Sequence, residues 1–438
     1  MSHVFPRLPG RDLPIVAHAS GSSIWDTDGK RYLDGAGGAI VVGIGHGRRE
    51  IAEALARQAA TVAYAHGTAF TSDALEAYAD EVAAIAPVDD ARVYPVSGGS
   101  EAIETALKMA RSYHLANGEP SRHVVIARWG SYHGNTLGAL DASGREPLRR
   151  PYAPWLGRAV HVPAAYEYRC PWPSHPNGCG TLHAAALESA IQAAGPANVA
   201  AFVAEPIAGA ALGAAVPSND YWPAIAETCR RHGVLLIADE VMTGFGRSGA
   251  WFGCDHWSVR PDLLVCAKGA SSGYWPLGLT IASGGVHERL AEGGFVHGFT
   301  YSHNVTGAAV GRAVLKILRE EDLVDASRSK GERLRAGLAD ALADHPNAGD
   351  VRGRGLMVAV ELVQDRATKE PFAHNVRVTE RVVAAAKEAG LLLYSSTGCA
   401  DGTDGDLVML GPPFVLTDAE LDEAVTKTSL AVRAILPA

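Results

Sequence analysis

Short apolar runs alternate with amphipathic stretches through the middle of the chain. In several of these stretches apolar residues recur every three or four positions, as they do on one face of a helix. The apolar runs are rich in aliphatic and β-branched residues and are HVVIAR (from 123), VAAFVAE (from 199), VLLIADE (from 234) and DLLVCAK (from 262). This alternation predicts an α/β fold with a mostly parallel sheet covered by helices on both faces.

The flanking segments predict a second, smaller unit. Residues 22–34 alternate apolar and polar positions around a DG dipeptide, which is typical of a small β-hairpin. The C-terminal part combines helical patterns with strand-like runs. We therefore predict a large domain at residues 50–305 and a small α/β domain assembled from both chain ends, residues 1–49 and 306–438.

Composition and charge indicate which kinds of partner the protein can bind. The chain of 438 residues is 47% hydrophobic and 20% charged, as in ordinary globular proteins, and its net charge of -9 gives no basic field for nucleic acid. Its first ten residues lack an apolar signal core, and charged, polar or proline residues interrupt every long apolar stretch. We expect a cytoplasmic protein with a small-molecule substrate and neither nucleic-acid nor membrane partners.

The cysteines and histidines give no familiar metal motif. Cys170 and Cys179, within RCPWPSHPNGCG, form the one close cysteine pair, and their spacing departs from the CxxC pattern of zinc sites. A Pro/Gly-rich surface loop is the favoured interpretation of this segment. The 17 histidines are scattered without HExxH spacing, which argues against a metal hydrolase. We predict no metal site.

Three chemically active residues follow the predicted strands. Ligands of such sheets bind beyond the carboxyl ends of the strands, where Glu205, Asp239 and Lys268 lie. Lys268 follows an apolar run and precedes small residues, so partial desolvation should lower the pKa of its amine. A neutral amine is what Schiff-base chemistry requires. The alternative is a lysine that snorkels to solvent.

Asp239 and the segment around Ser100 each allow two interpretations. A buried Asp239 needs a cationic partner, such as a protonated pyridine nitrogen, although Glu240 beside it could make a structural salt bridge instead. The segment PVSGGSEAIETALKMA (95–110) predicts a helix that begins at Ser100, where free backbone N–H groups could bind a phosphate. Ser100 could also serve only as a helix cap. Neither GxGxxG nor a Walker motif precedes this helix.

An ordered set of motifs resembles the class III, or omega-type, aminotransferases over nearly the whole chain. The motifs are SGGSEA (97–102), SYHG (131–134), AEPI (204–207), ADEVMTGFGRSG (238–249), AKGASSGYWPLG (267–278), GFTYSHN (298–304), VRGRGLM (351–357) and GPPFVLT (411–417). The resemblance implies the fold type I of pyridoxal phosphate (PLP) transferases. It also implies a ping-pong transfer of an amino group from an amine or omega-amino acid to pyruvate or another 2-oxo acid.

The same resemblance implies roles around the cofactor ring. Lys268 would hold PLP as a Schiff base and then act as general base once substrate amine displaces it. Asp239 would pair with the pyridine nitrogen, while Val241 and Tyr132 would pack against opposite ring faces. Glu205 would lie near the cofactor.

Other implied contacts involve the phosphate and a second subunit. Gly99 and Ser100 would contact the phosphate, and Thr300 would add a contact from the neighbouring subunit of a homodimer, with Phe299 lining the pocket beside it. Arg247, in GFGRSG, is expected to be structural. Whether dimers pair into tetramers is left open.

Two departures from the family pattern concern the substrate. The stretch before the C-terminal PP motif, YSSTGCADGTDGDLVMLGPP (394–413), lacks the arginine with which many amine:pyruvate members grip a carboxylate. Ile40 and Val41 stand where many members have an aromatic residue, so they either line an aliphatic pocket or belong to the core.

Several alternative functions are compatible with the same motifs. An aminomutase, an epimerase or a decarboxylating enzyme of this fold would share nearly all of them, since the cofactor performs the difficult step. A non-catalytic scaffold is disfavoured because Lys268, Asp239 and the predicted phosphate site are all present.

Overall fold

The computed structural model describes residues 3–8, 10, 12–172, 175 and 178–437. The strands are β1 Val16–Ser20, β2 Ser23–Asp26, β3 Arg31–Leu33, β4 Arg92–Val96, β5 Val124–Arg128, β6 Val160–Val162, β7 Val199–Ala204, β8 Leu235–Asp239, β9 Leu263–Cys266, β10 Gly278–Ala282, β11 Ala348–Gly353, β12 Val358–Leu362, β13 Tyr394–Thr397 and β14 Asp406–Leu410. The helices are α1 Gly37–Ile40, α2 Arg49–Thr61, α3 Asp73–Ala83, α4 Gly99–Ala116, α5 Leu137–Ala142, α6 Glu146–Arg149, α7 Gly180–Ala194, α8 Tyr221–His232, α9 Gly284–Gly293, α10 Val305–Glu320, α11 Leu323–Ala341, α12 Val378–Glu388 and α13 Asp418–Ile435.

A seven-stranded sheet forms the centre of the fold, in the order β4-β10-β9-β8-β7-β5-β6. The neighbours from β9 to β6 pair in parallel, and β10 is antiparallel to both β9 and β4. Strands β7, β8 and β9 are buried along their whole length. The prediction of a mostly parallel α/β sheet is therefore confirmed.

Helices cover both faces of this sheet. Along β7, Ala201 and Val203 pack in one cluster with residues of α4 and α9, whereas Phe202 and Ala204 pack in another with residues of α7 and α8. Successive side chains of a strand point to opposite faces, which is why the run is apolar without interruption. Full burial of each large apolar side chain contributes about 1.5–3 kcal/mol.

The strand register brings three predicted residues to one edge. Ala204 lies beside Ala238 in the pairing of β7 with β8, and Asp239 lies opposite Val265 in the pairing of β8 with β9. Glu205 follows β7 directly, and Lys268 comes two residues after the end of β9. All three therefore leave the sheet at its carboxyl edge.

The two chain ends contact each other. The predicted hairpin is present as β2 and β3, and with β1 it forms a three-stranded antiparallel sheet. Leu33 N donates to the Gly390 carbonyl at 2.9 Å, and Gly411 N donates to the Gly35 carbonyl at 2.8 Å. The C-terminal part forms a four-stranded antiparallel sheet, β11-β12-β14-β13, against which α11 and α12 pack.

The division into domains at 1–49, 50–305 and 306–438 stays a prediction. Helix α10, which begins at Val305, packs against α2 and α3 as well as against α11. Among the described residues, no helix has the length and apolar character needed to cross a membrane.

Arg247 connects segments that are distant in the chain. Its guanidinium is buried and donates to the carbonyls of Leu356 at 2.8 Å, Pro412 at 2.7 Å and Val42 at 3.0 Å. The same group lies 4.5 Å from the ring centroid of Phe414. These contacts give Arg247 the structural role expected from its motif, because they hold the N-terminal segment against the C-terminal sheet.

Substituting Arg247 tests this role. Arg247→Met leaves three carbonyls without their donor, so we expect the free energy of unfolding to fall by about 3 kcal/mol, as measured by urea denaturation. Arg260→Met is the control, because Arg260 makes an exposed ion pair with Asp89, and it should cost about 0–1 kcal/mol. Equal effects of the two substitutions would contradict the role assigned to Arg247.

Candidate active site

A cavity of about 180 Å³ lies beyond the carboxyl ends of β7, β8 and β9. Its lining combines residues that follow these strands with residues from the start of α4 and from the SYHG segment. The lining residues are Gly99, Ser100, Tyr132, His133, Gly134, Glu205, Ala210, Asp239, Val241, Met242, Ala267 and Lys268. The residues predicted to contact the cofactor within one subunit therefore meet in a single place.

Asp239 is one of two buried carboxylates that line this cavity, the other being Glu205. Asp239 ends β8 and is 3% exposed. Its Oδ1 accepts a hydrogen bond from Val241 N at 3.0 Å, and its Oδ2 lies 2.7 Å from His133 Nδ1. An ionised carboxylate can only accept, so His133 must donate its Nδ1 proton to it. Both oxygens are thereby held in fixed positions.

His133 is the functional residue that sequence reasoning missed. It is 2% exposed, and its Nε2 has no hydrogen-bond partner among the described residues. Its contact with Asp239 joins positions 106 residues apart, so no local pattern indicates it. The one available signal was its place in the SYHG motif, directly after Tyr132.

Lys268 supplies the amine of the cavity. It begins a 3-10 turn, Lys268–Ala270, with φ of 37°, a conformation that costs a non-glycine residue on the order of 1–3 kcal/mol. Burial lowers the pKa of the amine to about 8, although the carboxylates of Asp239 and Glu205 act in the opposite direction. A substantial fraction of the amine is therefore neutral near pH 8, which is the condition for nucleophilic attack.

Glu205 and Tyr132 line the cavity together. Glu205 is 5% exposed, and its carboxylate accepts hydrogen bonds from Gly209 N at 3.0 Å and Tyr132 N at 3.4 Å. Burial raises the pKa of the Glu205 carboxyl and also that of the Tyr132 phenol. The phenol therefore stays protonated at neutral pH and offers a neutral aromatic face.

The helix that follows β4 begins earlier than predicted. Helix α4 starts at Gly99 with Gly98 as its cap residue, and Ser100 does not cap it. Instead, Ser100 Oγ accepts a hydrogen bond from Asn135 N at 3.0 Å. A Cβ atom added to Gly99 would lie 3.2 Å from the side chain of Val241, so glycine keeps this end of the helix open. Free N–H groups there can bind an anion.

Glu240 makes no salt bridge with any residue that the structure describes, in contrast to the alternative considered from the sequence. Its buried carboxylate accepts hydrogen bonds from Gly253 N and Cys254 N, both at 2.7 Å, and from the Thr243 hydroxyl. Burial raises the pKa of this carboxyl to about 7. Glu240 thus holds the turn at 253–254 in place, and it does not line the cavity as Asp239 does.

The two aliphatic residues expected near the substrate lie outside the cavity lining. Ile40 is 2% exposed and belongs to a core cluster that also contains Met357 and Met409. A Cβ atom added to Gly411 would lie 2.7 Å from Ile40, which shows how closely Ile40 packs on that backbone. These contacts match the core alternative for Ile40. Val41 is half-buried, and its role in substrate binding stays a prediction.

Phe299 and Thr300 also lie away from this chain's own cavity. Phe299 is half-buried and packs edge-on against His297, with ring centroids 4.9 Å apart. Thr300 is exposed, and its carbonyl accepts a hydrogen bond from the Tyr64 hydroxyl at 3.0 Å. Their predicted contribution to a neighbouring subunit's site stays a prediction.

The groups in the cavity suit one kind of ligand. The Asp239 carboxylate suits a cationic ring nitrogen, and Tyr132 and Val241 offer an aromatic and an aliphatic surface for a flat ring. The first turn of α4 suits a phosphate, and the Lys268 amine suits a carbonyl. PLP carries all four of these features.

Comparison with known proteins gives the family. The family described as "Aminotransferase class-III" matches residues 9–432. An uncharacterised aminotransferase of Bacillus subtilis is 37% identical over 426 residues, which cover 96% of this chain and 95% of that protein. A putrescine–pyruvate aminotransferase of Pseudomonas aeruginosa is 35% identical over 427 residues, covering 96% and 91%.

Solved structures agree with this family and with its cofactor. The PLP-bound amine transaminase of an uncultivated Pseudomonas species superposes with a TM-score of 0.89 at 34% identity, covering 100% of this chain and 97% of that one. The predicted fold type I and the predicted PLP cofactor are thereby confirmed. The chain belongs to the class III aminotransferase family and is a PLP-dependent transaminase.

Proposed function

We propose that this transaminase moves an amino group from an amine or omega-amino acid to pyruvate or another 2-oxo acid by a ping-pong mechanism. The observation that carries the proposal is that Lys268 and Asp239 line the same cavity, where they could hold the carbonyl and the ring nitrogen of PLP. The name of the Pseudomonas aeruginosa relative also supports an amine donor and pyruvate as acceptor.

The chain's own residues prepare the reaction. When bound, PLP supplies a carbonyl that condenses with amines and a ring that accepts electrons from the substrate carbon. Asp239, held by its hydrogen bond with His133, would keep the ring nitrogen cationic. Tyr132 and Val241, which both line the cavity, would pack against the ring. The neutral amine of Lys268 can take a proton from the substrate carbon and return it elsewhere, which contributes on the order of 10²–10⁴-fold to the rate.

Arg145 is our proposal for the group that binds the acceptor's carboxylate. It is half-buried, and its Nη2 donates to Ser396 Oγ at 3.0 Å. Its Nε is buried without a hydrogen-bond partner among the described residues. The Arg145 charge also opposes the burial that raises the pKa of Tyr132. A carboxylate could pair with the free donors of this guanidinium.

We also propose a cytoplasmic homodimer with shared active sites. Thr300 lies outside its own chain's cavity lining and is exposed, as a residue that serves a partner's site would be in one isolated subunit. The same region exposes the apolar side chains of Val296, Tyr301 and Tyr64, at 100%, 63% and 44%. Sedimentation at the mass of a single 45.8 kDa chain would contradict the dimer.

The two half-reactions test the proposed function. Mixing PLP-loaded enzyme with putrescine alone should convert the bound cofactor to its amine form, with one equivalent of amine consumed per site. Pyruvate added afterwards should restore the original absorbance and yield one equivalent of alanine. In a parallel assay with an α-amino acid, which has the carboxylate and the stereocentre that putrescine lacks, release of carbon dioxide, or rearranged or epimerised substrate without conversion of the cofactor, would favour the decarboxylase, aminomutase or epimerase alternatives instead.

Arg145→Met separates the two half-reactions. It should leave the rate with putrescine within about twofold and slow the pyruvate step about tenfold or more, because one charge-assisted hydrogen bond is worth roughly 1.5–3 kcal/mol. Arg150→Met is the matched control, since Arg150 is exposed and donates to Thr403 Oγ1. Equal loss in both half-reactions would show that Arg145 does not select the acceptor.

Capture of the cofactor should follow the pKa of Lys268. Because burial lowers this pKa to about 8, the rate at which apoenzyme binds PLP covalently should rise about tenfold per pH unit below pH 8 and level off above it. Borohydride trapping followed by mass spectrometry measures the adduct, and Lys268→Ala should give none at any pH. A rate that keeps rising up to the ordinary lysine pKa of about 10.4 would contradict the desolvated amine.

A further inference from the structure

The connection between β6 and α7 brings together three side chains of types that can bind metal ions. Cys170 follows a 3-10 turn, Glu167–Arg169, and Cys179 is the cap residue of α7. The side-chain donor atoms of Cys170, His175 and Cys179 all lie within 4.8 Å of one another. Residues 173, 174, 176 and 177 of this connection lie outside the described residues.

We propose that Cys170, His175 and Cys179 bind one Zn²⁺ ion, contrary to the expectation of a plain surface loop. Zinc favours thiolate and imidazole ligands in tetrahedral sites with bonds of about 2.0–2.3 Å, which sets ligand atoms roughly 3.3–3.8 Å apart. The three donor atoms would have to approach one another by at most about 1–1.5 Å to occupy three tetrahedral positions, and a water molecule would take the fourth. Two thiolates also neutralise the charge of the ion, whereas Mg²⁺ and Ca²⁺ require oxygen ligands.

The surroundings hold two of the ligands in place. Cys179 is 1% exposed, its carbonyl accepts the N–H of His183 at 3.0 Å, and its Sγ lies 3.8 Å from Ser218 Oγ. Trp172, between the two cysteines in the chain, packs edge-on against His183 with ring centroids 4.7 Å apart. Contacts with α7 thus hold the loop near both cysteines. A bound ion would link Cys170, His175 and Cys179 to one another.

The site is separate from the reaction cavity. None of its three ligands lines that cavity, and β6 forms the outer edge of the central sheet. Arg169, the residue before Cys170, donates to the buried Glu361 at 2.7 Å. A bound ion would therefore stabilise the loop and its connection to β12, and the inference does not depend on the proposed donor or acceptor.

A disulfide between Cys170 and Cys179 is the main competing arrangement. It would account for the two cysteines. It would not explain why the His175 imidazole lies close to both sulfur atoms. It would also require an oxidising compartment, because cytoplasmic thiols are kept reduced. The convergence of a third donor atom is the observation that favours a metal ion.

Metal analysis of the PLP-loaded enzyme tests the proposal. After equilibration with Zn²⁺ under reducing conditions and removal of free ion, we expect about one zinc per chain by elemental mass spectrometry. Cys170→Ser and Cys179→Ser should each reduce the zinc content to below about one tenth, and His175→Ala should weaken zinc affinity by about tenfold or more. Cys229→Ser is the control, because Cys229 is a buried cysteine of α8 outside the cluster.

Three results would overturn the zinc site. They are wild-type enzyme without zinc above the blank, zinc retained in full by both cysteine variants, and an intact mass that reveals a Cys170–Cys179 disulfide in place of metal. If the variants do not fold, Co²⁺ binding to the wild-type protein tests whether the site exists. Thiolate-to-cobalt charge-transfer absorption supports the site, and its absence contradicts it. The PLP content of folded variants should stay unchanged.

Discussion

The burial of the Asp239 carboxylate is the constraint on which the rest of the site depends. A charge at the end of a fully buried strand is costly unless it is paired, and the chain supplies only part of what this charge needs. His133 and the Val241 amide hold its two oxygens, and no lysine or arginine forms an ion pair with it among the described residues. In our proposal the cationic ring nitrogen of PLP would complete the arrangement at this carboxylate.

The electrostatics of Lys268 follow from the same sheet edge. Its amine is desolvated, which lowers the pKa to about 8, yet Asp239 and Glu205 lie close enough to limit that shift. The lysine is therefore available in both protonation states near neutral pH, as a group that must accept and return a proton requires. The parallel register of β7, β8 and β9 sets these distances, because it brings the residues after each strand to one edge.

Sequence patterns predicted those features of the fold and the site that depend on local sequence. The continuous apolar runs indicated the buried strands, and the residues ending them indicated Asp239 and Lys268. What could not be predicted depends on contacts between distant segments. The hydrogen bond from His133 to Asp239 joins positions that are 106 residues apart. A Cβ atom at Gly99 would crowd Val241, and one at Gly411 would crowd Ile40, and neither contact between distant segments can be predicted from the local sequence.

The protonation state of the cofactor's ring nitrogen tests the central claim most directly. NMR of isotope-labelled PLP bound to the wild-type enzyme should show a protonated ring nitrogen. In Asp239→Asn, which keeps the size of the side chain but removes its charge, the same nitrogen should be unprotonated at neutral pH. An unprotonated nitrogen in the wild-type enzyme, or identical shifts in the two proteins, would contradict the account.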